Sequence, residues 1–519
     1  MDGFGISREA RGNAILAAKK PNLDAIEARY PFTSLQASGI AVGLPWGEAG
    51  NSEVGHLTMG AGRVIYQHLT RITSSIQEGT FYENPTFLHA IEHVRTNQSQ
   101  LHLLGLVSSG SVHSYIDHLY ALMELLQRSG LERVYLHVIT DGKDAPQNEA
   151  AAFLRQIEER IMARSPRVVI ASIVGRHWAM DRDEQWDRIR KAYELLTQGA
   201  SASFNDASAY LEQSYANGIT DEYIEPACRI ENGGAVGRIK SGDGLIIFNF
   251  REDSVREIAA AFAKDAFDSF PREKISNLAM VTLTQYDKNL PGVQVAFPPL
   301  EINWPVARAI AGAGKTQLHI AETEKYAHVT YFFNGGIEKP FPDEDRLLVS
   351  SSPVPHFDEH PEMKTPEICA KIIERIREYD FILGNFANGD LVGHTGNFSA
   401  VVKAIEVIDE SIGKIRDAVL AVGGVLVITA DHGNAEQKIH PISGEAITKH
   451  TSNPVPLYLV GKSFARQAER NPGAVRKKRE TTGGILTDVA PTILELMRIP
   501  KPEEMTGTSL VPVLTSDPE

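Results

Sequence analysis

Val425-Leu-Val-Ile-Thr-Ala-Asp431-His432-Gly433-Asn434 decides the fold. Residues 425–429 are rich in β-branched side chains and read as a short buried strand, and an acid and an imidazole follow directly at its carboxyl end. Open α/β sheets place their sites at the carboxyl ends of strands. Two further pieces share this placement. Asp390-Leu-Val-Gly-His394 follows the apolar run 381–386, and His450-Thr-Ser-Asn-Pro454 comes shortly before the apolar run 456–460. Carboxylate and imidazole without thiolate suit Mn²⁺, Mg²⁺ or Zn²⁺ at a catalytic centre. Each piece alone is more often an ordinary surface or hydrogen-bonded pair than a ligand; three of them at strand ends favour a site.

Working outward, short apolar runs alternate with helical patterns through the middle and the C-terminal part, which predicts α/β layers. Strands are expected at 101–107, 134–140, 168–173 and 245–250. Val401, Ile405, Ile408, Ile412, Ile415 and Val419 recur at spacings of three and four and form one apolar helical stripe. Thr365 before Pro366 reads as a helix N-cap with a first-turn proline, and residues 117–128 ahead of Gly130 read as another helix. Connections near 66–74 and 290–299 bracket a segment long enough to be its own domain. The expected organisation is 1–66 and 299–519 as one split domain, with 67–298 inserted.

The chain has 519 residues, which at roughly 100–200 residues per domain predicts two to four domains or one large domain carrying an insertion. It is 42% hydrophobic and 23% charged, so disorder and coiled coil are poor readings. A net charge of -14 argues against broad nucleic-acid or anionic-membrane binding but leaves room for a small anionic substrate. No apolar run approaches the ~20 residues of a membrane span. Two distant cysteines, Cys228 and Cys369, and no basic-then-apolar leader before Asp2 point to a reducing cytoplasm. The basic run Arg476-Lys477-Lys478-Arg479 is expected to be a solvated loop.

Asp2-Gly-Phe-Gly5 supplies another carboxylate beside glycines. Gly50-Asn-Ser52-Glu-Val-Gly-His56 places a serine in a small-residue turn before a possible helix. That pattern fits a metal-activated nucleophile or a simple N-cap Ser or Asn followed by Glu. The spacing of a P-loop is absent, so no nucleotide is expected. The middle segment offers His113, Lys143, Asp144, Arg176, Arg182 and Arg251 near strand ends, a plausible clamp for carboxylate and phosphate or a scatter of surface ion pairs. Lys325, in Ala321-Glu-Thr-Glu-Lys-Tyr-Ala-His328, is placed to steady a transferring phosphoryl group.

In order along the chain stand DGFG, GNSEVGH, VHSYIDH, TDGKD, GRHWAMDRD, NFRED, AETEKYAHVTYFFNGG, DLVGHTG, TADHGNAE and HTSNPVP. This set resembles the 2,3-bisphosphoglycerate-independent phosphoglycerate mutase family of the alkaline phosphatase superfamily, over nearly the whole chain. The resemblance implies an α/β protein: an alkaline-phosphatase-like three-layer domain, split in sequence, with an inserted α/β transferase domain. It implies interconversion of 3- and 2-phosphoglycerate through a phosphoserine, in glycolysis and gluconeogenesis, without bisphosphoglycerate or nucleotide. One divalent metal, Mn²⁺ or Mg²⁺, would take Asp390, His394 and His450; a second would take Asp2, Ser52, Asp431 and His432. Ser52 would be the nucleophile with Lys325 as its helper. His113, Lys143, Asp144, Arg176, Arg182, Arg251 and Lys325 would bind phosphoglycerate, and Asp144 would carry protons. Two domains that open and close, in a monomer, complete the expectation.

Three departures from the family pattern stand out. An apolar strand normally leads into the first aspartate; here one residue precedes Asp2, and loss of an inner strand would expose two pairing edges. Lys143 and Ser254 stand where the pattern has arginine, with Arg256 two residues beyond Ser254. The altered clamp keeps open a phosphomonoesterase or phosphopentomutase-like relative. The short start and Ser254 keep open a non-catalytic binding protein on the same fold.

Overall fold

The computed structural model describes all residues except 132, 163–166, 201, 441 and 517–519. The chain divides into two compact units, Met1–Gln67 with Leu300–Glu519, and His68–Pro299.

In the first unit the strands are β1 (Phe32–Gln36), β2 (Gln317–Glu322), β3 (Glu344–Val349), β4 (Phe381–Gly384), β5 (Leu426–Thr429), β6 (Val455–Val460) and β7 (Thr482–Ile485). They form a sheet in the order β5-β6-β1-β7 and a second in the order β3-β2-β4. β2 runs parallel to both its neighbours, and β6 runs antiparallel to β1 and β5. β2 and β6 are buried at every residue, as inner strands covered on both faces should be.

β4 and β5 stand at the ends of their sheets. Each is only partly buried along its length. A trench of about 550 Å³ lies along them, lined by Phe381, Leu383, Val427, Ile372, Ile376 and Val419. At one end the Met1 ammonium donates to Thr429 O (2.9 Å) and Asp2 N donates to Phe386 O (2.9 Å). Successive residues thus bond to opposite flanks, as in the last two rungs of a parallel ladder. Met1 and Asp2 therefore lie between the edges of β4 and β5.

Helix Phe398–Val422 carries the predicted stripe, and all six of its residues are buried. Burial of each such side chain is worth roughly 1.5–3 kcal/mol. Asn397 caps its start through Ala400 N, and Gly423 ends it at φ +77. Two local expectations need correction. Thr365 is the first residue of helix Thr365–Arg375 rather than its cap, because its hydroxyl bonds to Asn388. The basic run is the C-terminal part of helix Pro472–Arg479, not a loop. Arg479 turns inward there to pair with buried Glu27, which also accepts from the Tyr458 hydroxyl at 2.9 Å.

The second unit is built on a nine-stranded sheet among the described residues. Gly244–Ile247, Leu101–Val107, Arg133–Thr140 and Arg167–Gly175 lie side by side in parallel at its centre. Their carboxyl ends lead to Ser108, Asp141, Arg176 and Asn249. Cys228 and Cys369 are buried free thiols. Among the described residues no helix is long and apolar enough to cross a membrane.

Candidate active site

Ser52 opens helix Ser52–Ala61, and Asn51, not Ser52, caps it by accepting from Val54 N. The serine hydroxyl is therefore free to face the carboxyl ends of the strands. Its Oγ lies 2.7 Å from Lys325 Nζ, 3.0 Å from His432 Nε2 and 3.2 Å from Asp2 Oδ1. Lys325 Nζ also donates to Asp2 Oδ1 (2.8 Å) and Asp390 Oδ2 (2.7 Å). Ser52, Lys325, Asp2, Asp390, Asp431 and His432 are all buried.

Two imidazoles are oriented by backbone carbonyls. His394 Nδ1 donates to Thr448 O (2.6 Å) and His450 Nδ1 to Gly50 O (2.8 Å). In the neutral rings the Nε2 lone pairs are then left for a ligand, the arrangement that fixes metal-binding histidines. Both Nε2 atoms lie 3.1 Å from Asp390 Oδ1 and 3.0 Å from each other. A second group adjoins this one. Asp2, Asp431 and His432 bring one ligand atom each within 4.8 Å of one another, as do Asp390, His432 and His450. His432 thus faces both groups. Asp431 Oδ2 is buried without a hydrogen-bond donor, because nearby His56 Nδ1 is directed at Ser52 O (2.8 Å). A buried carboxylate oxygen left over and imidazole lone pairs that converge fit hard divalent cations.

Charge here is internally balanced. Burial would lift the Asp2 pKa, but the Lys325 ammonium and His432 overcome it and hold the carboxyl well below the usual range. Asp390 is likewise well below, against burial, through hydrogen bonds from His394 and His450 and the charge of Lys325. Burial opposes the charged form of Lys325, yet Asp2, Asp390 and Asp431 raise its pKa. His432 is raised to about 9, since Asp431, Asp2 and Asp390 outweigh its burial.

In the second unit Arg176 is the centre. Its NH1 donates to Asp141 Oδ1 and Asp144 Oδ2, each at 2.6 Å, and its NH2 lies 3.0 Å from His113 Nε2. His113 Nδ1 lies 2.9 Å from Ser254 Oγ. Burial, then the Arg176 charge, lowers the His113 pKa to about 4. Arg182 and Arg251 both pair with Asp253 Oδ2, at 3.0 and 2.9 Å. Lys143 is exposed and adjoins the cluster through its backbone, donating to Asp141 Oδ1 (3.1 Å). Arg256 does not replace the arginine missing at Ser254; its Nε donates to Tyr286 O.

Sequence reasoning assigned no role to Asp141, Asp253, Asn385 or His56. Asp141 and Asp253 sit inside quoted motifs, and a carboxylate one or two places from a clamp cation is the signal that marks them. Asn385, which donates to Asp2 Oδ2 (2.9 Å), carries no such mark.

A serine hydroxyl beside a lysine, with carboxylates and imidazoles at the strand ends of a split α/β domain, defines a metal-dependent α/β enzyme with a candidate serine nucleophile. Residues 72–288 match the family model described as "BPG-independent PGAM N-terminus". The chain is 47% identical over 513 residues to the 2,3-bisphosphoglycerate-independent phosphoglycerate mutase of Clostridium botulinum, covering 98% of each. It is 47% identical over 517 residues to that of Methanosarcina barkeri, covering 98% of this chain and 97% of the relative. A Leishmania mexicana phosphoglycerate mutase, solved at low cobalt concentration, superposes with a TM-score of 0.55 at 30% identity, covering 98% of this chain and 96% of that one. The chain belongs to the 2,3-bisphosphoglycerate-independent phosphoglycerate mutase family. It is an isomerase that interconverts 3- and 2-phosphoglycerate in glycolysis, with a divalent-metal requirement and no need for bisphosphoglycerate.

Proposed function

We propose that Ser52 is the nucleophile of this isomerase and carries the phosphoryl group between the two hydroxyls of glycerate. The observation behind this reading is the convergence of Lys325 Nζ, His432 Nε2 and Asp2 Oδ1 on one buried serine oxygen. Asp390, His394 and His450 would hold one divalent cation, Mn²⁺ or Mg²⁺, and Asp2, Ser52, Asp431 and His432 a second; when bound, these would supply Lewis-acid charge to the hydroxyl and the phosphoryl oxygens.

The chain's own residues then act as follows. The bond from Ser52 Oγ to phosphorus forms as the bond to the glycerate oxygen breaks; the proton the serine gives up is balanced by the one the glycerate oxygen takes, and on return the Oγ–phosphorus bond breaks and the serine regains its proton. Lys325 meets the negative charge on the equatorial oxygens. The released glycerate oxygen takes a proton, and the neighbouring hydroxyl loses one as it receives the phosphoryl back. Asp144 is our candidate carrier of these protons, its carboxylate held by Arg176. His113, Lys143, Arg176, Arg182 and Arg251 bind the carboxylate and phosphate of phosphoglycerate. Water must be kept from the phosphoserine while glycerate turns, or the product is lost by hydrolysis. The enzyme works as a monomer in the cytoplasm, without nucleic acid or membrane; the excess of acidic residues supports the last two.

The test is direct. Rapidly quenched enzyme, given Mn²⁺ and 3-phosphoglycerate, should yield a phosphopeptide containing Ser52, and Ser52→Ala should abolish both the phosphopeptide and turnover. Turnover that persists in Ser52→Ala would sink the reading.

A further inference from the structure

Three segments bring side chains to the metal-ligand groups from distant parts of the chain: 1–6, 431–436 and 450–454. All three meet at one buried carboxylate, Glu436. Its Oε2 accepts from Gly5 N (3.0 Å) and Asn434 N (2.8 Å). Its Oε1 accepts from the Thr451 hydroxyl and from Asn453 Nδ2 (2.9 Å). Four donors from three segments satisfy both oxygens, as burial of a carboxylate demands.

The surrounding sequence makes room for this carboxylate. A Cβ at Gly5 or Gly433 would overlap the Glu436 carboxyl group, so glycine is required at both positions for the segments to close on it. The same seam is stitched by Ala435 N to Gly3 O (2.9 Å) and Ile6 N to Pro454 O (2.7 Å). The link extends to the other ligand group: Asn434 Nδ2 donates to Asp390 Oδ1 (2.9 Å), and Lys438 Nζ donates to Asn434 Oδ1 and to Gly393 O.

We propose that Glu436 is a positioning residue: it clasps the loops of Asp2, Asp431–His432 and His450 into one metal-ready arrangement, without itself touching metal or substrate. The inference rests on the reading of those residues as ligands. Groups that orient metal ligands typically change metal affinity by ~10–100-fold when altered. Glu436→Gln keeps the shape but turns one acceptor oxygen into a donor that faces two donors, so the clasp should loosen without a cavity.

The experiment is a Mn²⁺ titration of the metal-free full chain, read by the loss of free-Mn²⁺ paramagnetic resonance. Glu436→Gln should raise the Mn²⁺ dissociation constant by about 10–100-fold, while KM for phosphoglycerate at saturating Mn²⁺ stays within about twofold of the parent. A folded Glu436→Gln that binds Mn²⁺ as tightly as the parent, or that changes KM and not Mn²⁺ affinity, overturns the proposal and leaves the ligand assignment standing. A parent chain that binds no Mn²⁺ overturns the assignment and the proposal together. Should Glu436→Gln fail to fold, Thr451→Val and Asn453→Ala each remove one donor: a several-fold weaker Mn²⁺ affinity supports the clasp, and unchanged affinity in both overturns it.

Discussion

Lys325 Nζ and Ser52 Oγ are 2.7 Å apart, and the lysine is shared with Asp2 and Asp390. One ammonium therefore neutralises two buried acids and touches the serine oxygen. Lys325→Met should lower kcat by about 10²–10³, the usual loss when one donor to developing charge is removed. Lys325→Arg should not restore it, because a planar fork cannot serve three acceptors converging on a point. The metal-free Lys325→Met protein should also melt below the parent, since two carboxylates lose their counter-charge; Mn²⁺ should recover part of the difference. Steady-state kinetics and calorimetry with and without metal check both statements.

Arg176 is a structural residue as well as a proposed substrate ligand. Its partner Asp141 is buried, so Arg176→Ala leaves a carboxylate without its cation, a change that costs about 3–5 kcal/mol when a buried pair is broken. We expect a lower urea midpoint for Arg176→Ala together with a raised KM for phosphoglycerate. Arg176→Ala, Asp141→Ala should recover much of the stability and none of the KM.

Acid stability is set in part by His118, a buried ring whose pKa burial lowers to about 3. Above pH 6.5 the ring is neutral folded or unfolded and contributes no pH dependence. As pH falls below 6.5 the unfolded chain binds a proton that the native ring refuses, so stability falls with pH and levels off near pH 3. At 1.36 kcal/mol per pH unit this amounts to about 3 kcal/mol between pH 6.5 and 4. His118→Phe should flatten that slope. Denaturant melts across this range measure it, and an unchanged slope in the variant would refute the assignment.

The sites at strand ends were legible because strand and ligand are neighbours in sequence. Residues 425–429 delivered Asp431 and His432, and the observed β5, Leu426–Thr429, differs by one residue. The stripe from Val401 to Val419 was legible because 3.6-residue periodicity is a local property. What stayed hidden depends on contacts across the fold. Thr365 reads as a cap until its hydroxyl finds Asn388, and Arg476-Lys477-Lys478-Arg479 reads as a loop until Arg479 finds Glu27 from 452 residues away. Glu436 closes the quoted motif TADHGNAE, but its four donors become visible only when three segments meet. Ser254 was legible as a departure, but its bond to His113 was not.

The Met1–Asp2 rungs give a further prediction. A run of about five β-branched residues joined to Met1, enough at ~3.3 Å per residue to follow β4 and β5, should enter the trench in parallel register. It should raise the melting temperature and slow amide exchange in β4 and β5. A Gly-Ser extension of equal length should do neither. Equal effects from both would show that the trench does not select a strand.

That trench also bears on how an extended segment would be held. Two adjacent backbone edges with apolar walls offer hydrogen bonds on both flanks and a dry contact between them. Charge contributes little to such a fit: salt shortens its reach to ~3 Å at 1 M and leaves the apolar seam untouched. Occupancy of the slot by a β-branched run should therefore be insensitive to ionic strength.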